Sequence, residues 1–172
     1  RLHGKAQAVL PRPHRRRPLM AAVEHDEATA REIARASAEA MWADDKASQG
    51  LGMAIEDVGP GTATLTMTVR ADMVNGHDIC HGGFIFLLAD SAFAFSCNSY
   101  NQRTVAQQCN VTFLKPVKLG ERLTARAAER WREGRSGIYD ITVTDGAGTV
   151  IAEFRGHSRT IPGTLVPGTE SA

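Results

Sequence analysis

The stretch "NGHDICHGGFIFLLADSAFAF", residues 75–95, decides how the rest of the chain is read. It opens on polar, glycine-rich punctuation and then turns apolar: ten of the twelve residues from Phe84 to Phe95 are hydrophobic, one is Ser91 and one is Asp90. The apolar run predicts a helix with no wide polar side, which belongs in a core. A carboxylate in such a helix costs several kcal/mol, on the order given by ion desolvation, unless it is paired or used.

The residues before the helix supply a matching feature. Gly82 and Gly83 stand where a helix begins, so their N–H groups lack intrahelical acceptors and carry the positive end of the helix dipole. With no side chain in the way, an oxygen gaining negative charge can come close. A tight turn is the plainer account of the two glycines. Eight residues separate Gly82 from Asp90, a rise of roughly 12 Å along a helix, whereas a reacting carbonyl needs both groups at about 3 Å. One helix cannot serve both. Two antiparallel copies in a two-fold dimer can set Gly82 of one chain near Asp90 of the other, so the pattern predicts sites shared between subunits.

Other chemistry in the stretch is weaker. His77, Cys80 and His81 are metal-ligand types, but the His-x2-Cys-His spacing lacks the paired geometry of a zinc site, and no metal is expected. Cys80 before a helix start could have a lowered pKa, yet no base and orienter accompany it. Ser91 is mid-helix and not on a nucleophile elbow. His81 is expected to bond locally and fix the loop.

Working outward, residues 24–46 are rich in Ala, Glu and Arg and predict an amphipathic helix with Ile33, Ala34, Met41 and Trp42 on its apolar side. Residues 52–69 predict two strands about a turn at Gly59-Pro60-Gly61, since Ala63, Leu65, Met67 and Val69 alternate with Thr64, Thr66, Thr68 and Arg70. Further strands are expected at 104–115, 122–132, 136–144 and 149–160, the last pair joined at "DGAG". Helix, two strands, apolar helix, four strands is an α+β order, with a largely antiparallel sheet around a central helix.

The 172 residues, 42% hydrophobic and 23% charged, suit one domain, placed at residues 20–163. Residues 1–19, with three prolines, Arg15-Arg16-Arg17 and no acidic residue, are expected to be a disordered basic leader, and residues 164–172 a loose tail. A net charge of +1 gives no electrostatic support for nucleic-acid or membrane binding. No run of about 18 apolar residues predicts a span. Three cysteines, Cys80, Cys97 and Cys109, without framework spacing point to a reducing, cytoplasmic setting.

The blocks "NGHDICHGGFIFLLADSAFAFSCNSYN", "FLKPVKLGERLTARA", "GRSGIYDITVTD" and "EFRGHSRTIPGT" occur in an order that closely resembles the hotdog-fold acyl-CoA thioesterases of phenylacetic acid degradation, over about residues 20 to 165. The resemblance implies a long helix wrapped by a curved antiparallel sheet, dimers that usually pair into tetramers, and hydrolysis of phenylacetyl-CoA and its ring-hydroxylated derivatives. It carries the catalytic carboxylate onto Asp90 and the backbone N–H that polarises the thioester onto Gly82, with Gly83 less favoured. Asp90 would act as nucleophile or as general base. Asn75 matches a family asparagine, although Asn-Gly is also a strong turn signal. No cofactor is implied, coenzyme A being part of the substrate.

Coenzyme A carries phosphates, so a basic groove is expected. Lys115, Arg135, Arg155, Gly156 and His157 are the candidates, against ordinary solvated charge. Phe84, Phe93 and Phe95 are read as core before aryl pocket. Two rival readings are an acyl-CoA sensor without turnover and a hotdog hydratase or dehydratase.

Overall fold

The computed structural model describes residues 27–167; the basic leader and the end of the tail lie outside them. Helix α1 (Glu27–Asp44) is followed by a short α2 (Lys46–Gly50), then β1 (Ala54–Gly59), β2 (Thr62–Thr68), α3 (Gly82–Cys97), β3 (Thr104–Phe113), β4 (Arg122–Glu133), β5 (Ser136–Thr144) and β6 (Val150–Thr160). The break between α1 and α2 has a local cause: the Asp45 carboxylate accepts the Ser48 N–H at 2.9 Å and starts a new helix.

The six strands form one antiparallel sheet in the order β1-β2-β4-β5-β6-β3. Strict alternation in β5 shows why one face is covered. Gly137, Tyr139, Ile141 and Val143 are buried, while Ile138, Asp140 and Thr142 between them are not. The buried face packs on α3, whose Leu88, Ala89, Ala92, Phe93 and Phe95 complete the core with Leu65, Leu123 and Phe154. Phe93 contacts Tyr139 and Phe154 at ring separations of 5.5 and 6.1 Å, and Phe95 meets Trp42 of α1 at 6.0 Å. Phe93 and Phe95 are therefore core, not pocket lining.

The turn at "DGAG" closes on the Asp145 carboxylate, which accepts the Ala147 and Thr149 amides at 2.9 and 2.8 Å. The chain after Gly163, expected to be loose, is pinned as far as Val166. Asn101 Oδ1 accepts the Leu165 and Val166 amides at 3.0 and 2.9 Å. No helix among the described residues is long and apolar enough to cross a membrane.

Candidate active site

The loop leading into α3 is fixed at both ends. Val74 and Cys80 form an isolated bridge, Cys80 N–H donates to Val117 O at 2.7 Å, and His81 N–H donates to Met73 O at 2.8 Å. Asn75 turns the loop: its side-chain Oδ1 accepts the His77 amide at 2.9 Å, which leaves its Nδ2 group without an acceptor among the described residues. Asn75 is thus a turn residue that also lines a cavity.

His81 is the N-cap of α3, and its Nδ1 accepts the Gly83 N–H at 2.9 Å. Accepting at Nδ1 places the ring proton on Nε2. One of the two glycine donors is therefore consumed. The Gly82 N–H has no acceptor among the described residues, so the two adjacent donors differ. Gly82 also lies under the ring of Phe113, since a Cβ there would come within 2.9 Å of that ring. A cavity of about 400 Å³ opens at this point, lined by Asn75, Cys80, Gly82, Ile85, Phe113 and Lys115 among others. Asp90 is not among its lining residues.

Asp90 occupies a narrow, half-buried stripe of α3 with Leu87 and Ala94, so the helix is not fully buried on every side. Burial pushes the Asp90 carboxyl above its ordinary value, an effect partly offset by a bond from the Cys109 thiol. Cys109 Sγ is 3.8 Å from Asp90 Oδ1. Ser91, next to it in sequence, bonds instead to Ser48 Oγ at 2.9 Å, tying α2 to α3. Burial also raises the Cys80 thiol, so the helix start does not make it a thiolate. No group of three or more His, Cys, Asp or Glu side chains among the described residues is placed to hold a metal ion.

The candidates for holding coenzyme A scatter. Lys115 lines the cavity at the end of β3. Gly156 does not face a ligand: it lies on the inner side of β6, where a Cβ would meet the Phe93 ring at 2.7 Å, so glycine is there to admit that ring. Arg155 is on the outer side and is held in a bidentate pair with Asp140 at 2.6 and 2.8 Å, which Arg130 joins at 3.2 Å. These arginines hold the Asp140 carboxyl below the usual range. Arg135 donates through Nε to Thr160 O at 2.9 Å, a structural bond at the β4–β5 turn. His157 is half-buried opposite Ile138 and Gln108.

The thioesterase superfamily model matches residues 77–152, from the loop before α3 into β6. The acyl-coenzyme A thioesterase PaaI of Escherichia coli is 43% identical over 129 residues, 75% of this chain and 92% of the relative. This chain belongs to the thioesterase superfamily. The structure of the E. coli PaaI protein, from the phenylacetic acid degradation operon, superposes with a TM-score of 0.78 at 42% identity, covering 78% of this chain and 98% of that one. A variant of phenylacetic acid degradation protein PaaI from Thermus thermophilus gives 0.66 at 34% identity, covering 68% and 100%.

The α+β architecture of this thioesterase-superfamily chain is thus the hotdog fold, with α3 as the helix that the sheet wraps. Two residues next to its candidate groups were not found from the sequence: Cys109 beside Asp90 and Phe113 over Gly82. Both come from β3, some 20 to 30 positions along the chain, and only the pairing of β3 with β6 brings them under α3.

Proposed function

We propose that this enzyme hydrolyses aryl-acetyl-CoA thioesters, with phenylacetyl-CoA and hydroxyphenylacetyl-CoA as substrates, to the free acid and coenzyme A. The observation that carries the reading is the unspent Gly82 N–H at the start of α3, in a cavity with Asn75 and Lys115. It is supported by the E. coli relative, named as an acyl-coenzyme A thioesterase. The Gly82 N–H takes the thioester oxygen, and the dipole of α3 adds to the stabilisation of the oxyanion. The Asp90 carboxylate, from a second subunit, either removes a proton from water that attacks the carbonyl carbon or attacks that carbon itself. On the first route the proton taken from water passes to the departing sulfur as the carbon–sulfur bond breaks; on the second, coenzyme A leaves as a thiolate from a mixed anhydride, which water then hydrolyses, restoring the carboxylate and supplying the proton, so one water is consumed on either route.

The placement of β3 supports a second subunit. Edge strand β3 is ten residues long and has one side unpaired among the described residues, with Val105 and Phe113 45% and 50% exposed. A two-fold copy pairing along β3 lengthens the sheet and sets the half-buried stripes of the two α3 helices side by side, antiparallel. Such dimers pairing again give the tetramer. Lys115 at the cavity mouth meets a phosphate of coenzyme A. A substrate confined to the cell interior and three free cysteines favour a cytoplasmic enzyme.

The test is thiol release from a panel of aryl and aliphatic acyl-CoA esters. Phenylacetyl-CoA should be turned over with higher kcat/KM than aliphatic esters, and Asp90→Asn should abolish turnover while leaving fold and assembly intact. Binding without thiol release would make the protein a sensor. Wild-type rates in the Asn variant would remove Asp90 from the chemistry.

A further inference from the structure

Cys109 stands where β3 passes under α3. In the β3–β6 register it lies opposite Gly156, on the inner side of the sheet, with the Phe93 ring occupying the space that Gly156 leaves. Its side chain is thereby directed at α3, where Sγ comes within 3.8 Å of Asp90 Oδ1. No other side chain among the described residues bonds that carboxylate. Resting on the reading of Asp90 given above, we infer that Cys109 is a positioning residue for the reaction: its thiol holds Oδ1 and leaves Oδ2 directed at the water or the thioester carbon.

The choice of sulfur has a consequence. A thiol is a weak donor, so it fixes the orientation of the carboxylate without lending the anion the stabilisation that a hydroxyl would. Burial, with the charge and bond of Asp90, pushes the Cys109 thiol up to about 11, so it keeps its proton and remains a donor at neutral pH. The other titratable group facing this pair is Cys97 of α3, pushed up to about 12 by burial and by Asp90 and likewise a neutral thiol; Tyr139 of β5, its pKa raised mainly by burial, lies beyond it. Asp90 is therefore the acidic group of the cluster, raised above its ordinary value, while both thiols keep their protons at neutral pH. Its basicity is set by burial on one side and by the Cys109 donor on the other.

Two variants read this out in opposite directions. Cys109→Ala removes the donor: kcat at neutral pH should fall about three- to tenfold with KM little changed, in line with loss of one weak bond to a charged group. The acidic limb of the pH–kcat/KM profile should move to higher pH. Cys109→Ser supplies a stronger donor, so orientation is kept and the limb should move to lower pH. Acidic limbs that coincide with wild type, or that move the same way in both variants, overturn the inference. Should the Ala variant not fold, the direction of the Ser limb alone decides it. An inactive Asp90→Asn with unmoved Cys109 limbs would sink the role of Cys109 and leave that of Asp90 standing; an active Asp90→Asn would sink both.

Discussion

Asp90 is held in an environment that opposes its charge. Its folded pKa is raised, so over the interval between the ordinary carboxylate value and the raised one the folded chain binds a proton that the unfolded chain has lost. Stability from this group is then greatest below the ordinary value and declines as pH rises through the raised one. Asn has the same shape and does not titrate. Asp90→Asn should accordingly gain thermal stability relative to the wild-type chain on going from pH 4 to pH 7, while losing activity. A Tm difference that stays constant over that range would show that Asp90 is as comfortable folded as unfolded. The same residue marks what could be read early: a lone acid in an apolar helix was visible as an anomaly. Its partner was not, because nothing local links positions 90 and 109.

At the scale of elements, the start of α3 is a device for making two adjacent donors unequal. His81 takes the Gly83 N–H, and the bonds from His81 N–H and Cys80 N–H to Met73 and Val117 hold the ring in place. Replacing His81 by Ala should cost about 1 kcal/mol in urea unfolding, the usual effect of losing an N-cap. It should also lower kcat, since a second free donor then competes for the substrate oxygen. His81→Asn restores a cap acceptor and should recover most of the stability; if Ala and wild type unfold at the same urea concentration, the cap contributes nothing. The elements themselves were legible. Strands expected at 104–115 and 136–144 are met by β3 and β5, which run to Phe113 and Thr144, and the helix expected to reach about Lys46 ends at Asp44. The strand order was not, because it depends on β6 choosing β3 and on β2 choosing β4 across long loops, and neither pairing leaves a periodic trace. The inward aim of Gly156 was hidden for the same reason: its neighbours Arg155 and His157 face outward, and only the core ring of Phe93 explains it.

At the scale of the whole molecule, the proposed reaction, set against the roughly 12 Å of helix between Gly82 and Asp90, requires a site built from two chains. Two inactive variants should then repair each other. Gly82→Ala puts a methyl within 2.9 Å of the Phe113 ring and over the cavity, which blocks the approach to the N–H; Asp90→Asn removes the carboxylate. Each homodimer of these variants has two broken sites. A mixed dimer has one site with both defects and one with neither. Random reassociation of equal amounts makes half the dimers mixed, so thiol release should recover to about a quarter of the wild-type rate. Dissociating the two variants together, reassociating them and assaying phenylacetyl-CoA hydrolysis provides the measurement. Variants reassociated separately and then combined serve as the control, because they should stay inactive until subunits exchange. Recovery in the co-reassociated sample alone would assign the two groups to different chains; if neither sample recovered although mixed dimers could be isolated, Gly82 and Asp90 would have to act within one chain, and α3 would have to bend to bring them together.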